Sequence, residues 1–178
     1  MNKNEVAVFG GGCFWCTEVI FQQLKGVVSV SPGYAGGHKP NPTYNEVSTG
    51  MTGHAEVTRV EFDPSIIPYK DLLEIHMHLH DPTTLNRQGY DVGSQYRSII
   101  LYTNEQQKKI AEKVLLDLNA SKEFKRPIVT EIKPLEKFYE AEDYHKNYYA
   151  NNMDKPYCQL IISPKLTHLR QEYSAKLK

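Results

Sequence analysis

The sequence has little cysteine, no surplus of either charge and no long apolar run, and each shortage excludes something. Three cysteines in 178 residues, an odd number, cannot build a disulfide framework of the kind that staples small secreted domains. Lys+Arg and Asp+Glu cancel at 21 each. A polyanion partner normally selects a basic surplus, so the balance argues against nucleic acid. No apolar stretch approaches the ~18 residues of a membrane span, and Val6–Phe9 is far shorter than the apolar core of a signal peptide. The expectation is a soluble protein that stays in the reducing cytoplasm. There, two cysteines close in sequence mean metal or redox chemistry.

What is present reads as one catalytic domain over 1–178, with 40% hydrophobic and 24% charged residues. Glu5–Phe9 predicts a buried strand that Gly10-Gly11-Gly12 stop. Cys13–Leu24 has helical spacing, and Val27–Val30 is β-branched and strand-like. Pro32–Pro42 is Gly/Pro-rich and predicts a loop. His54–Phe62 alternates as a strand does. Tyr69–His80 predicts a helix ending near Asp81, because Pro82 disfavours helix in the residue before it. Tyr96–Tyr102 predicts a strand, and Asn104 with Gln107 a helix start, with Ile110, Val114, Leu115 and Leu118 as the buried stripe. Val129–Ile132 and Tyr157–Ser163 read as strands, and Ala141–Asn151 and Pro164–Lys176 as helices. The mixture lacks strict βαβ alternation and a nucleotide fingerprint. It predicts an α+β fold, a two-layer α/β sandwich with a ferredoxin-like core and long irregular loops.

The chemistry concentrates at Gly12-Cys13-Phe14-Trp15-Cys16. A thiol in the first turn of a helix faces unpaired N–H groups and the positive end of the dipole. Both favour thiolate, so the pKa of Cys13 is expected below the free value of about 8.5. The plain alternative is a small core cysteine, but a pair at a Gly-rich strand-to-helix turn favours a nucleophile. Cys16, three residues on, lies on the same helical face, with Cβ atoms roughly 5–6 Å apart. A disulfide wants about 3.5–4.5 Å, so joining them requires local unwinding. Glu56 shares parity with Thr58, Val60 and Phe62. It is either a core-facing acid kept protonated by desolvation or a residue at the exposed start of its strand.

Longer motifs then give a resemblance. Gly-Cys-Phe-Trp at 12–15, Gly-Tyr-Ala-Gly-Gly at 33–37, Pro-Thr-Tyr-Asn-Glu-Val at 42–47 and Thr-Gly-His-Ala-Glu at 52–56 stand in one order. His-Asp-Pro-Thr at 80–83 and Gln-Gly-Tyr-Asp-Val-Gly-Ser-Gln-Tyr-Arg-Ser at 88–98 follow. From about Val6 to Lys165 the chain resembles the A-type peptide methionine sulfoxide reductases, which are specific for the S epimer at sulfur. The resemblance implies that Cys13 attacks the sulfoxide sulfur and Glu56 protonates its oxygen. Tyr44 and Tyr96 would donate hydrogen bonds to that oxygen, Asp91 would position the network, and Phe14 and Trp15 would hold the ε-methyl group. Free methionine sulfoxide or oxidised proteins would be substrate and thioredoxin the reductant, with no cofactor and no metal.

The sequence departs from the commonest family pattern at Cys16, where most members have glycine. It also lacks any cysteine beyond Cys158, where many members carry recycling cysteines in a tail. The two departures fit if the resolving thiol is Cys16, with Cys158 a buried structural thiol. Two rival readings remain at this stage. One is a thioredoxin-like dithiol oxidoreductase built on Cys13-x-x-Cys16. The other is a metal module using Cys13, Cys16, His76, His78 and His80, although on a helix only His76 and His80 align.

Overall fold

The computed structural model describes residues 3–178. β1 (Glu5–Gly10) leads through the glycines into α1 (Phe14–Gln22). β2 (Val27–Ala35) and β3 (Ala55–Phe62) follow, with the short helix α2 (Tyr44–Ser48) between them. Next come α3 (Tyr69–His78), the two-residue strands β4 (Arg87–Gln88) and β5 (Asp91–Val92), and β6 (Ile99–Tyr102). α4 (Glu105–Ser121), β7 (Glu131–Pro134), β8 (Phe138–Glu140), α5 (Tyr148–Asn151) and α6 (Ser163–Glu172) complete the chain.

Six strands form a mixed sheet in the order β7-β6-β1-β3-β2-β8, and β4 and β5 pair separately. β1 is antiparallel to β3 and β6, β2 is antiparallel to β3 and β8, and β7 runs parallel to β6. Beyond Glu5, β1 is apolar because both faces of the sheet are covered there. Ala7 and Phe9 enter the main core, which packs against α1, α3, α4 and α6, whereas Val8 enters a smaller core with Val57, Ile99 and Leu101. Leu72 and Leu73 are fully buried in the main core, and burying each side chain stabilises by about 1.5–3 kcal/mol relative to exposure.

Asn104 caps α4, its Oδ1 accepting the Gln107 N–H at 2.9 Å. The Gln107 side chain does not reach back to Asn104. It accepts the Thr103 N–H at 2.9 Å and donates to the Val6 carbonyl at 2.8 Å, tying α4 to the central strand. The expected box is opened in favour of a tertiary bond.

Three stretches differ from the sequence expectation. β2 continues through Pro32 and Gly33 to Ala35, where a loop was expected. Gly33 pairs with Glu140 of β8, and a Cβ there would lie 2.3 Å from the Phe138 ring. Glycine marks close strand approach here rather than a turn. The segment expected as strand Tyr157–Ser163 is a wide helical turn, Cys158–Ile162, running into α6. Cys158 and Ile162 are buried and Gln159 and Leu160 exposed, a four-residue period that a short apolar run does not reveal. The expected helix Ala141–Asn151 breaks into a 3-10 turn, Asp143–His145, and α5, with Asn147 between them at φ 54°. Asparagine tolerates that left-handed conformation.

Gly33→Ala is expected to lift β8 from β2 and destabilise the fold by about 1–3 kcal/mol. Urea unfolding with a wild-type midpoint would show that the β8 edge yields without cost.

Candidate active site

The site forms where β1 ends, beside β3. Gly12 has φ 85°, and a Cβ on it would meet the Gln88 side chain at 2.7 Å. Its N–H donates to the Tyr96 carbonyl at 3.1 Å, which holds the 3-10 turn Ser94–Tyr96 against the glycine loop. Cys13 is the N-cap of α1, extended at φ −70° and ψ 132°, and makes no side-chain cap. Its carbonyl accepts the Cys16 N–H at 3.1 Å. The Phe14 N–H, first of the helix, donates instead to Glu56 Oε1 at 3.2 Å. A carboxyl from β3 thus serves the positive end of α1, beside the cysteine.

Burial decides the protonation states. Glu56 is only 1% exposed. Its pKa is pushed up to about 8, first by burial and also by the charge of Asp91, against the Phe14 N–H and the Cys13 thiol, whose hydrogen bonds lower it. Of the two sequence readings of Glu56, the core-facing one is correct. The expectation for Cys13 is overturned. Burial, then the neighbouring Glu56 and Cys16, raise its thiol well above the usual value, and the Trp15 N–H opposes them without winning. At 8% exposure the thiolate loses more hydration than a helix end returns. Both groups therefore carry protons at neutral pH. Tyr44 is held up at about 12, and Tyr96 is raised further, each mainly by burial with Glu56 adding. Both phenols are donors.

The other residues singled out in the sequence converge here. Phe14, Trp15, Tyr44 and Tyr96 pack with Cys13 in one cluster. Cys13, Cys16 and Asp91 line a cleft of about 810 Å³ together with Tyr157 and Leu160. Cys158 is fully buried and is not among the lining residues. Trp15 stacks on Tyr148 with centroids 3.6 Å apart and planes at 6°.

The sequence reading missed Tyr157, Glu142, His145 and Tyr148. Tyr157 donates to Asp91 Oδ2 at 2.7 Å and also hydrogen-bonds Cys16, so it links the acid to the second thiol. Glu142 accepts from Tyr34 at 2.8 Å and from the Tyr44 N–H at 2.9 Å, fixing the start of α2. One signal was available: five of the twelve tyrosines fall in 139–157, interleaved with acids and a histidine.

The histidines of the metal reading are engaged elsewhere, although the rings of His76 and His80 lie 4.2 Å apart. His76 bonds the Gly10 carbonyl at 3.1 Å, His80 bonds Ser98 Oγ at 2.7 Å, and His78 faces Glu123 at 3.0 Å. Among the described residues no group of three or more His, Cys, Asp or Glu side chains could hold a metal ion.

Comparison with known proteins fits this geometry. A family model described as "Peptide methionine sulfoxide reductase" matches residues 5–177. The chain belongs to the peptide methionine sulfoxide reductase family. Peptide methionine sulfoxide reductase MsrA of Saccharolobus solfataricus is 57% identical over 174 residues, 98% of this chain and 97% of the relative. Among solved structures, reduced Mxr1 from Saccharomyces cerevisiae has a TM-score of 0.82 at 32% identity, with 88% of this chain and 90% of that chain covered. Mxr1 in complex with Trx2 gives 0.58 at 23% identity, covering 82% and 85%, and adds the likeness of fold. The activity is that of a peptide-methionine (S)-S-oxide reductase, which returns methionine S-sulfoxide to methionine and so repairs oxidised protein. The thioredoxin-like reading is set aside, because the motifs it left unexplained lie inside the matched span. Among the described residues no helix is long and apolar enough to cross a membrane.

Glu56 also carries a stability signature. Folding raises its pKa from the ordinary 4.5 to about 8, so stability is whole below 4.5 and is lost as pH rises toward 8. Glu56→Gln does not titrate, so its stability relative to wild type should climb across that window, on the order of 5 kcal/mol. Unfolding midpoints in buffers spanning the window measure it, and a flat difference would place the Glu56 carboxyl in water.

Proposed function

We propose that Cys13 attacks the sulfoxide sulfur while Glu56 protonates the sulfoxide oxygen, and that Cys16 resolves the sulfenic acid left on Cys13. The observation that carries this reading is the Glu56 carboxyl, buried, protonated near neutral pH, and hydrogen-bonded to both the Phe14 N–H and the Cys13 thiol. A sulfoxide is a poor electrophile because its oxygen leaves badly, and an acid at that oxygen corrects the fault. When Glu56 gives up its proton, the carboxylate left behind can take the proton of the thiol it touches. Substrate binding then creates the thiolate that burial otherwise disfavours. The oxygen passes to Cys13. The sulfoxide sulfur is reduced by two electrons, the cysteine sulfur is oxidised by two, and the products are methionine and a sulfenic acid.

Tyr44 and Tyr96 donate to the oxygen in this scheme, as protonated phenols flanking Glu56. Asp91 positions the network through Tyr157, and Phe14 and Trp15 hold the methyl group. Cys16 then attacks the Cys13 sulfenic acid, water leaves and a disulfide remains. Its opening onto the same cleft as Cys13, which Cys158 does not line, supports this choice. Thioredoxin is the proposed external dithiol, in keeping with the Trx2 complex of Mxr1, and the proposed location is the cytoplasm. The chemistry asks for no cofactor. We also read the chain as one catalytic unit on a ferredoxin-like core. The order β6-β1-β3-β2, antiparallel throughout, supports that reading.

Two experiments test the scheme. In single turnover with dithiothreitol, Cys13→Ser should form no methionine. Glu56→Gln should be slower by about 10²–10⁴-fold and lose the fall in rate that wild type shows as pH rises through about 8. An unchanged pH profile would remove Glu56 as the donor. Cys16→Ser should still form one methionine per enzyme and then stall as a sulfenic acid trappable by dimedone, with poor turnover on thioredoxin, while Cys158→Ser should cycle like wild type. Stalling by Cys158→Ser and cycling by Cys16→Ser would reverse the assignment.

A further inference from the structure

One buried group beside the site has a hydrogen-bonding state that the fold dictates and the proposed chemistry leaves unused. His145 closes the 3-10 turn Asp143–His145 and is fully buried. Its ring centroid lies 4.4 Å from Tyr44, 5.0 Å from Phe14 and 5.8 Å from Trp15. Its Nδ1 lies 2.9 Å from the indole nitrogen of Trp15. An indole N–H only donates, so Nδ1 must accept and carries no proton. Burial lowers the basicity of the ring, so the imidazole is neutral and its proton sits on Nε2. That Nε2 is buried with no hydrogen-bond partner among the described residues. Unpaired buried donors are uncommon because they forfeit hydration without return. The opposite tautomer would set an N–H against the indole N–H, so the fold tolerates an orphan on one side of the ring in order to accept Trp15 on the other.

The contacts of Trp15 show what that bond adds. Tyr148 stacks on the indole at 3.6 Å and Tyr157 meets it edge-on at 5.7 Å and 84°. Stacking fixes the plane of a ring but resists sliding and turning within that plane only weakly. A hydrogen bond to one ring atom is directional and removes that freedom. The turn that carries His145 is itself tied to the helix that carries Trp15: the buried Glu18 of α1 accepts the N–H groups of Asn147 and Tyr148.

We propose that His145 is a positioning residue for Trp15: by accepting the indole N–H it fixes the ring that bounds the methyl subsite, and so sets which S-alkyl group the enzyme admits. The inference rests on the reading of Trp15 as a wall of that subsite. Trp15 is the single tryptophan of the chain, so intrinsic emission reports it alone. His145→Phe keeps an aromatic ring and loses the acceptor, whereas His145→Asn places an amide oxygen close to where Nδ1 stands.

The measurements are emission of the reduced enzyme and single-turnover kcat/KM for methionine S-sulfoxide and for the S-ethyl analogue, ethionine sulfoxide, with dithiothreitol as reductant. His145→Phe should shift the emission and shrink the preference for methyl over ethyl about tenfold, the size of effect one methylene exerts in a fitted pocket. His145→Asn should recover most of both. Replacing Trp15 by 3-benzothienylalanine, which has the same bicyclic shape and no N–H, breaks the bond from the other side and should reproduce the loss even if His145→Phe folds poorly. A wild-type methyl preference in the benzothienyl enzyme, or a His145→Asn enzyme no closer to wild type than His145→Phe, overturns the proposal. Trp15→Phe separates the two levels. If it leaves the methyl preference unchanged while His145→Phe still shifts the emission, the failure lies in the reading of Trp15 as the wall.

Discussion

The hydrogen bond from the Phe14 N–H to the Glu56 carboxyl is the contact on which the rest of the site depends. It joins the start of α1 to β3 and supplies the unpaired helix end with an acceptor that Cys13, as N-cap, does not provide. A protonated carboxyl still accepts through its carbonyl oxygen, so the bond survives while the acid keeps its proton. Because both partners are buried, the proton on Glu56 is held by the fold rather than by solvent. The thiol beside it inherits that constraint.

The sheet explains why the two groups meet. β1 and β3 are antiparallel neighbours at its centre, with Phe9 opposite Thr58. The chain leaves β1 at Gly10 and enters α1 four residues later, while β3 begins at Ala55, so Glu56 is delivered to the head of the helix. The pairing also accounts for Gly10, where a Cβ would lie 2.9 Å from the Glu56 carbonyl. The partners that pack around Trp15, namely His145, Tyr148 and Tyr157, come from the other end of the sequence, which β8 brings back by pairing onto the far end of β2.

Most of the frame was legible in the sequence because its signals are local. β1, α1, β3, α3 and α4 each carry a run or period that their own residues define. Cys13, Glu56, both tyrosines, Asp91 and the aromatic pair could be singled out in the sequence, chiefly because long motifs in one order carry more information than any single residue. The region beyond Ala141 was less legible. There the backbone follows tertiary demand: Asn147 turns left-handed, and the Cys158–Ile162 stretch coils so that one face of an apolar run is buried. Tyr157, Glu142 and His145 act through partners more than 50 residues away in sequence, and no local pattern announces such contacts. The error over Cys13 has a related cause. The helix start is visible in the sequence, but the desolvation that outweighs it belongs to the assembled site.

That desolvation has a consequence for a protein whose substrate is a product of oxidation. Peroxides and electrophiles react with thiolates, and a thiol kept protonated and screened from solvent offers them little. In the scheme proposed above, Cys13 is armed only when a sulfoxide oxygen has drawn the proton from Glu56. On that scheme the oxidised methionine is both the target and the trigger, and the conditions that generate it would leave the idle Cys13 thiol largely intact. The proposed scheme thus sets selectivity between a two-electron oxidant in solution and a bound sulfoxide by proton inventory, before shape is consulted.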